Sequence, residues 1–217
     1  MNFFVILFFL SNVVATLVLG SKFASHKNDK IFRGFGMALL LDAAAFLVWT
    51  LGLIQPAIML TCVTIGTIIF LVSLIFMVDA SAQEARKNYT RWLFTGSSIV
   101  IAFGIFLVGR YTYLDNYAYI SEEGLLFFNL GPVVQMLYVF ALTLATLPVL
   151  NLVARKFEKP FSLVVQYGFI IEIVGGIILV TSNDFMAVYI TGWVMAVSYL
   201  IMWILLVFSK KAWEKIN

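Results

Sequence analysis

The sequence predicts an all-α membrane protein, a bundle of seven transmembrane helices, and three observations carry that prediction. The 217 residues are 63% hydrophobic and only 12% charged, whereas about a quarter of the residues of a soluble domain are charged. Apolar runs of about 20 residues, the length that crosses a hydrocarbon core, recur along the whole chain. The basic residues fall in alternate connections between these runs.

Each apolar run is predicted to be one helix. In lipid, only helices and closed barrels satisfy the backbone polar groups, and these runs are too long for barrel strands. The connections are too short to form a soluble domain, so we expect one domain over residues 1–217. The predicted spans are about 2–20, 34–54, 57–78, 92–109, 125–150, 161–181 and 187–208.

The charge distribution predicts the orientation in the membrane. Of the 14 Lys and Arg residues, all but Arg110 lie after the first, third, fifth and seventh runs. The positive-inside rule therefore puts the N-terminus outside and the C-terminus in the cytoplasm. We expect a multi-pass protein of a prokaryotic cytoplasmic membrane, with the bilayer as its main partner. The net charge of +3 belongs to this topology and indicates no nucleic-acid partner.

Several function classes are excluded by what the spans lack. The single cysteine, Cys62, rules out an internal disulfide and a CxxC redox pair. The single histidine, His26, falls in a connection, which argues against haem and metal sites. No lysine lies in the last span for a retinal Schiff base, and no HExxH or nucleophile motif is present. We expect no cofactor, no metal and no enzymatic activity.

The connection 110–124, "RYTYLDNYAYISEEG", is the long external loop. Its tyrosines are typical of the aromatic belt at a membrane interface. The alternative is a lid over a pocket that opens outward, with Arg110, Tyr113 and Asp115 as candidate gate residues.

Two acidic residues fall near the middle of predicted spans, Asp42 in the second and Glu172 in the sixth. A charged carboxylate at that depth is costly, and a proton, a hydrogen-bond partner or a bound cation would relieve the cost. Small residues one turn away on the same face would let a neighbouring helix approach closely. These small residues are Ala38 and Ala45 around Asp42, and Gly168 and Gly175 around Glu172.

Polar side chains at comparable depth are candidate partners for the two acids. Together they predict a polar pocket for ligand binding, ion binding or proton coupling, formed by helices one, two, three, five, six and seven. The alternative is that each acid is structural, protonated and hydrogen-bonded inside the bundle. The candidate residues are Asn12, Thr64, Thr67, Gln135, Tyr138 and Tyr199.

Superposing Asp42 on Glu172 aligns spans one to three with spans five to seven and leaves helix four as a connector. Parallel repeats of this three-one-three kind occur in sugar transporters of the SWEET type, with the substrate between the halves. Identity between the two triplets is slight, and alternate basic loops occur in any seven-helix protein that obeys the charge rule. A small proton- or cation-coupled transporter is therefore an alternative function.

Two segments resemble the N-terminal seven-helix sensor region of bacterial histidine kinases: "FRGFGMALLLDAAAFLVWTLGLI" (32–54) and "FMVDASAQEARKNYTRWLF" (76–94). The resemblance implies a sensory module, and because no kinase follows the last span, one that signals through a cytoplasmic or membrane partner. Our leading hypothesis is a receptor that binds a small ligand, lipid or ion in an intramembrane pocket. A structural subunit of a membrane complex is the third alternative.

Overall fold

The computed structural model describes residues 3–26, 29–83, 88–112, 118–122, 125–128, 130–156, 159 and 161–208. This part of the chain contains seven α helices and one short antiparallel hairpin. The helices are α1 (Phe3–Ala24), α2 (Lys30–Ile54), α3 (Met59–Ala82), α4 (Asn88–Thr112), α5 (Pro132–Lys156), α6 (Phe161–Thr181) and α7 (Phe185–Phe208), and the strands are β1 (Ala118–Ile120) and β2 (Leu126–Phe128).

Five helices are long and apolar enough to cross a membrane, as a multi-pass membrane protein requires. The apolar stretches described in the other two, Leu93–Ile105 in α4 and Pro132–Thr143 in α5, are shorter. The five are Ile6–Ala24, Lys30–Ile54, Pro56–Ala82, Phe161–Thr181 and Phe185–Met202.

The hairpin is the feature that the all-α prediction missed. Ala118 pairs with Phe128 and Ile120 with Leu126, so the start of the predicted fifth span, 125–150, is a strand. Helix α5 begins only at Pro132, where a residue without an N–H is well accommodated in the first turn. The strand belongs to a short apolar run, 125–128, and hydrophobicity alone does not separate a buried strand from a helix. The break in composition comes after it, at Asn129, Gly131 and Pro132.

Side-chain caps account for the residues at which two helices begin. The Asp29 carboxylate accepts hydrogen bonds from the backbone N–H groups of Ile31 and Phe32, which caps the start of α2. Asp184 accepts one from the N–H of Ala187 at 2.7 Å at the start of α7. Side-chain oxygens at these positions satisfy amide groups that have no partner within the helix.

Six of the helices form a ring, and α4 lies outside it. Around the ring, α1 packs on α2, α2 on α3, α3 on α5, α5 on α6, α6 on α7, and α7 on α1, whereas α4 packs on α3 and α5. We call the end of the ring that carries the connection from α4 to α5 the hairpin end. The opposite end, where α1 leads into α2 and α5 into α6, is the basic end.

Small residues bring the first two helices very close together. A Cβ atom added to Gly36 would lie 2.7 Å from the Cα of Ala24 and 2.7 Å from the carbonyl oxygen of Gly20. The backbones of α1 and α2 therefore touch near the basic end, in the way that small residues permit in membrane bundles.

Candidate functional site

Trp49 is the centre of an aromatic cluster in the hairpin half of the ring. Its ring centroid lies 5.4 Å from that of Phe46, 5.7 Å from Phe70 and 6.2 Å from Phe128. Two of these contacts are edge-to-face, the arrangement that aromatic rings prefer. The indole N–H donates to the carbonyl oxygen of Val63 at 3.4 Å, so the ring is fixed in position.

Gly66 makes room for this indole. A Cβ atom at position 66 would overlap the Trp49 ring, and even the more distant Cε2 would lie only 3.1 Å away. The tryptophan of α2 is therefore seated directly on the backbone of α3.

Two adjoining cavities share the Trp49 ring as a wall. Their volumes are about 70 and 90 Å³. Both are also bounded by Phe46, Phe128 and Leu179, and we refer to them together as the central cavity. Its walls come from α1, α2, α3, α5, α6 and α7. These are the six helices that the sequence analysis expected around a polar pocket.

The chemistry of the central cavity differs from the prediction, because its walls are aromatic and aliphatic rather than polar. Thr67 and Tyr138 are the predicted polar residues that reach it. The side chains that sequence reasoning missed are apolar ones, above all Phe8, Phe46, Phe70 and Phe128. Trp49 was a visible signal, since it is the one tryptophan of the predicted second span, 34–54.

The hairpin covers part of the central cavity. Leu125 lines one of the two cavities, and Phe128 lines both. Leu125 and Phe127 are buried against the cluster around Trp49, and this contact gives a two-stranded ribbon the support it needs to be stable. The part of the chain that covers the cavity therefore lies closer to α5 in the sequence than the predicted gate residues Arg110, Tyr113 and Asp115.

Asp42 lies at the interface between α2 and α3, where Ser73 donates a hydrogen bond from its hydroxyl to the Asp42 carboxyl. Both residues are buried, with Asp42 1% and Ser73 0% exposed. Neither is a wall residue of the central cavity. This environment favours the structural alternative for Asp42, a polar contact that holds two helices together.

Removing the serine hydroxyl tests that role. We expect Ser73→Ala to destabilise the protein by about 1–3 kcal/mol, because it removes the hydroxyl that donates from α3 to a buried carboxyl of α2. The measurement is the thermal unfolding midpoint in detergent. Ser98→Ala is the matched control, since Ser98 is also buried and its described hydrogen bond goes to the Phe94 carbonyl of its own helix. Equal losses in the two variants would contradict an interhelical role for Ser73.

The other predicted polar residues are dispersed. Gln135 donates from its side-chain amide to the carbonyl oxygen of Val180 at 3.4 Å, linking α5 to α6 beside the central cavity. Thr64 bonds back to the Leu60 carbonyl within α3. Tyr199 is buried away from the cavity walls.

Asn12 was expected at the depth of Asp42, but the packing moves it toward the hairpin end. Gly20 of α1 packs against Gly36 and Leu40 of α2, and this register puts Thr16 level with Asp42. The Asn12 side chain is fully buried and donates from Nδ2 to the Phe8 carbonyl at 2.9 Å. Its amide therefore bonds within its own helix.

The remaining predicted site residues lie outside the described part of the structure. The backbones of Glu172 and Arg110 belong to α6 and α4, but their side chains are not described, and Tyr113 and Asp115 fall in the gap 113–117. Among the described residues, no group of three or more His, Cys, Asp and Glu side chains is placed to hold a metal ion.

Comparison with known proteins provides no further guide to this site: no protein-family model, curated protein or solved structure matches the chain. Its chemistry must therefore be inferred from the central cavity and its walls.

Proposed function

We propose that this protein is a membrane receptor of seven transmembrane helices, with its N-terminus outside, that binds an apolar or aromatic small molecule in the central cavity. The observation that carries the proposal is the cavity itself, a space inside a six-helix ring with the Trp49 indole as its shared wall. Concave sites lined mainly by aromatic and apolar side chains, with few polar groups, are typical of small-molecule pockets.

The wall chemistry decides between the ligand classes. A sugar or an inorganic cation would need hydrogen-bond or charge partners, and each buried polar group left without one costs about 1–3 kcal/mol. The carboxyl of Asp42 is already engaged by Ser73 and does not line the cavity. An apolar molecule gives up no hydrogen bonds when it leaves the lipid hydrocarbon, and in the cavity it gains close contact with several aromatic rings.

The function as a receptor follows from combining such a cavity with the lid. A ligand between the rings would contact Phe128 of the hairpin as well as Trp49 of α2, so it would favour one position of the hairpin over others. Transmission to a cytoplasmic or membrane partner is the further part of this hypothesis. Co-purification with a partner that changes when the hairpin residue Phe128 is altered would support it.

Gly192 offers a direct test of ligand binding, because it lines the cavity where α7 faces α1. A Cβ atom there would lie 3.4–3.5 Å from the Phe8 ring, an ordinary contact, so Gly192→Ala should fold normally. We expect Gly192→Leu to fill the cavity and to weaken saturable binding of a brominated aromatic hydrocarbon by tenfold or more, equivalent to about 1.4 kcal/mol. Binding is followed in vesicles by quenching of tryptophan fluorescence. The Trp49→Phe variant shows which part of the quenched fluorescence comes from Trp49.

Gly96→Leu is the matched control, because nothing lies within 4 Å of a Cβ atom at that position of α4. It should bind the aromatic probe like the unaltered protein. Vesicles of acyl-chain-brominated lipid distinguish a lipid chain from a free aromatic ligand as the occupant. If the probe quenches both leucine variants equally and without saturation, the proposal is wrong.

A further inference from the structure

The register of α2 against α3 is fixed by three described contacts. A Cβ atom at Gly34 would overlap the Ala80 side chain, Asp42 bonds Ser73, and Gly66 faces Trp49. In each pair one residue number rises as the other falls, as antiparallel helices require. The Asp42–Ser73 contact is thus part of a continuous antiparallel interface between α2 and α3.

The register of α6 against α7 is fixed in the same way. A Cβ atom at Gly168 would overlap Met202, and one at Gly175 would overlap Met195. Glu172 lies one turn from each glycine on the same helical stripe. Counting along the two antiparallel helices from either contact puts position 172 level with Ser198.

The two helix pairs correspond residue by residue. Glu172 follows Asp42 by 130 residues, and Ser198 follows Ser73 by 125 residues. The segment around Ser73 reads "VSLIFM" (72–77) and that around Ser198 reads "VSYLIM" (197–202), with Val, Ser and Met in the same places. Met77 and Met202 are both buried, and Val72 and Val197 are both exposed.

The first and fifth helices correspond at the same spacing as the second and sixth. "ATL" stands at 15–17 and again at 145–147, 130 residues further on. Thr16 is level with Asp42, so the first half has a layer of threonine, acid and serine. The second half has Thr146, Glu172 and Ser198 at the matching positions.

The central cavity lies between the two halves and is lined by matching positions of both. Phe46 corresponds to Gly176 and Trp49 to Leu179 at a spacing of 130, and Phe70 corresponds to Met195 at a spacing of 125. The halves meet where α1 packs on α7 and where α5 packs on α3. If α1–α3 and α5–α7 are interchanged, the α1–α7 interface takes the place of the α5–α3 interface, and the reverse.

We propose that α5–α7 is a parallel repeat of α1–α3, and that Glu172 and Ser198 form a second carboxyl–hydroxyl contact equivalent to that of Asp42 and Ser73. This inference does not depend on ligand binding in the central cavity. It assigns to Glu172 a partner on α7 and to Ser198 the role of hydrogen-bond donor. Ser198 is half-buried and lines a groove beside Gly168 and Ile171.

The position is tested by crosslinking in membranes, in a Cys62→Ala background that removes the only native thiol. A short thiol crosslinker should join Glu172→Cys to Ser198→Cys as readily as it joins Asp42→Cys to Ser73→Cys. It should fail with Glu172→Cys and Leu200→Cys, because Leu200 is exposed on another face of α7. Mass spectrometry of the digested protein detects the joined peptides.

The contact is tested by a double-mutant cycle on thermal unfolding of the full chain. Glu172→Gln and Ser198→Ala should lower the midpoint by less together than the sum of their separate effects, as should Asp42→Asn and Ser73→Ala. The crossed pair, Asp42→Asn with Ser198→Ala, should be additive. Absence of the 172–198 crosslink where the 42–73 crosslink forms, or additivity within the Glu172–Ser198 pair, would overturn the proposal.

Discussion

Gly36→Ala is expected to lower the thermal unfolding midpoint more than any other single methyl addition along α1 and α2. The new Cβ atom would overlap the backbone of Ala24 and lie 2.7 Å from the Gly20 carbonyl oxygen. Backbone atoms cannot swing aside as a side chain can, so the two helices must separate. Overpacking of this kind costs about 1–3 kcal/mol, and we expect the upper end of that range here.

Gly96→Ala is the control for the helix-forming preference of alanine. It introduces the same methyl group into α4 where nothing lies within 4 Å. Since alanine favours a helix over glycine by about 0.5–1 kcal/mol, this variant should be as stable as the parent or slightly more so. A loss at position 96 as large as that at position 36 would mean that crowding between α1 and α2 is not the cause.

Trp49→Ala is expected to have the second large effect, a loss of about 3 kcal/mol or more in the free energy of unfolding. The indole contacts Phe46, Phe70 and Phe128, and its removal leaves all three rings facing a void. In a membrane bundle the lipid is as apolar as the core, so the cost arises from the packing contacts that are lost. The measurement is again thermal unfolding in detergent.

The same substitution should loosen the hairpin, because Phe128 packs on the indole. Protease cleavage between residues 112 and 132 should therefore become faster in Trp49→Ala vesicles. Trp193→Ala is the control: Trp193 is only half-buried and packs on Tyr189 at 6.4 Å between ring centroids. Unchanged cleavage in Trp49→Ala would show that the hairpin is held by other contacts.

The burial of Asp42 and its location in the bundle were predictable from the sequence, whereas its role was not. An acid among alanines in a long apolar run must be buried between helices, because lipid offers it no partner. Whether it opens onto a pocket depends on which side chain of α3 faces it. Ser73 faces it, and no periodicity in the α3 sequence distinguishes Ser73 from Thr64 or Thr67.

The central cavity required the tertiary structure for a different reason. Its walls are mainly aromatic and aliphatic side chains from six helices and the hairpin, the residue types that fill any membrane core. Composition identifies them as interior but does not say where packing leaves a space. Gly176 and Gly192, which carry no side chain, lie among the aromatic walls of that space.

The sequence by itself determined the helical class, the apolar runs and the burial of Asp42, because these follow from the cost of exposing backbone and charge to hydrocarbon. Only the tertiary structure decided the order of helices around the ring, the register of each pair, and the hairpin that covers the cavity. Those features depend on contacts between residues far apart in the chain, where Gly66 meets Trp49 and Gly168 meets Met202. Steric fit between side chains determines these features, and the hydrophobicity of the sequence carries no information about that fit.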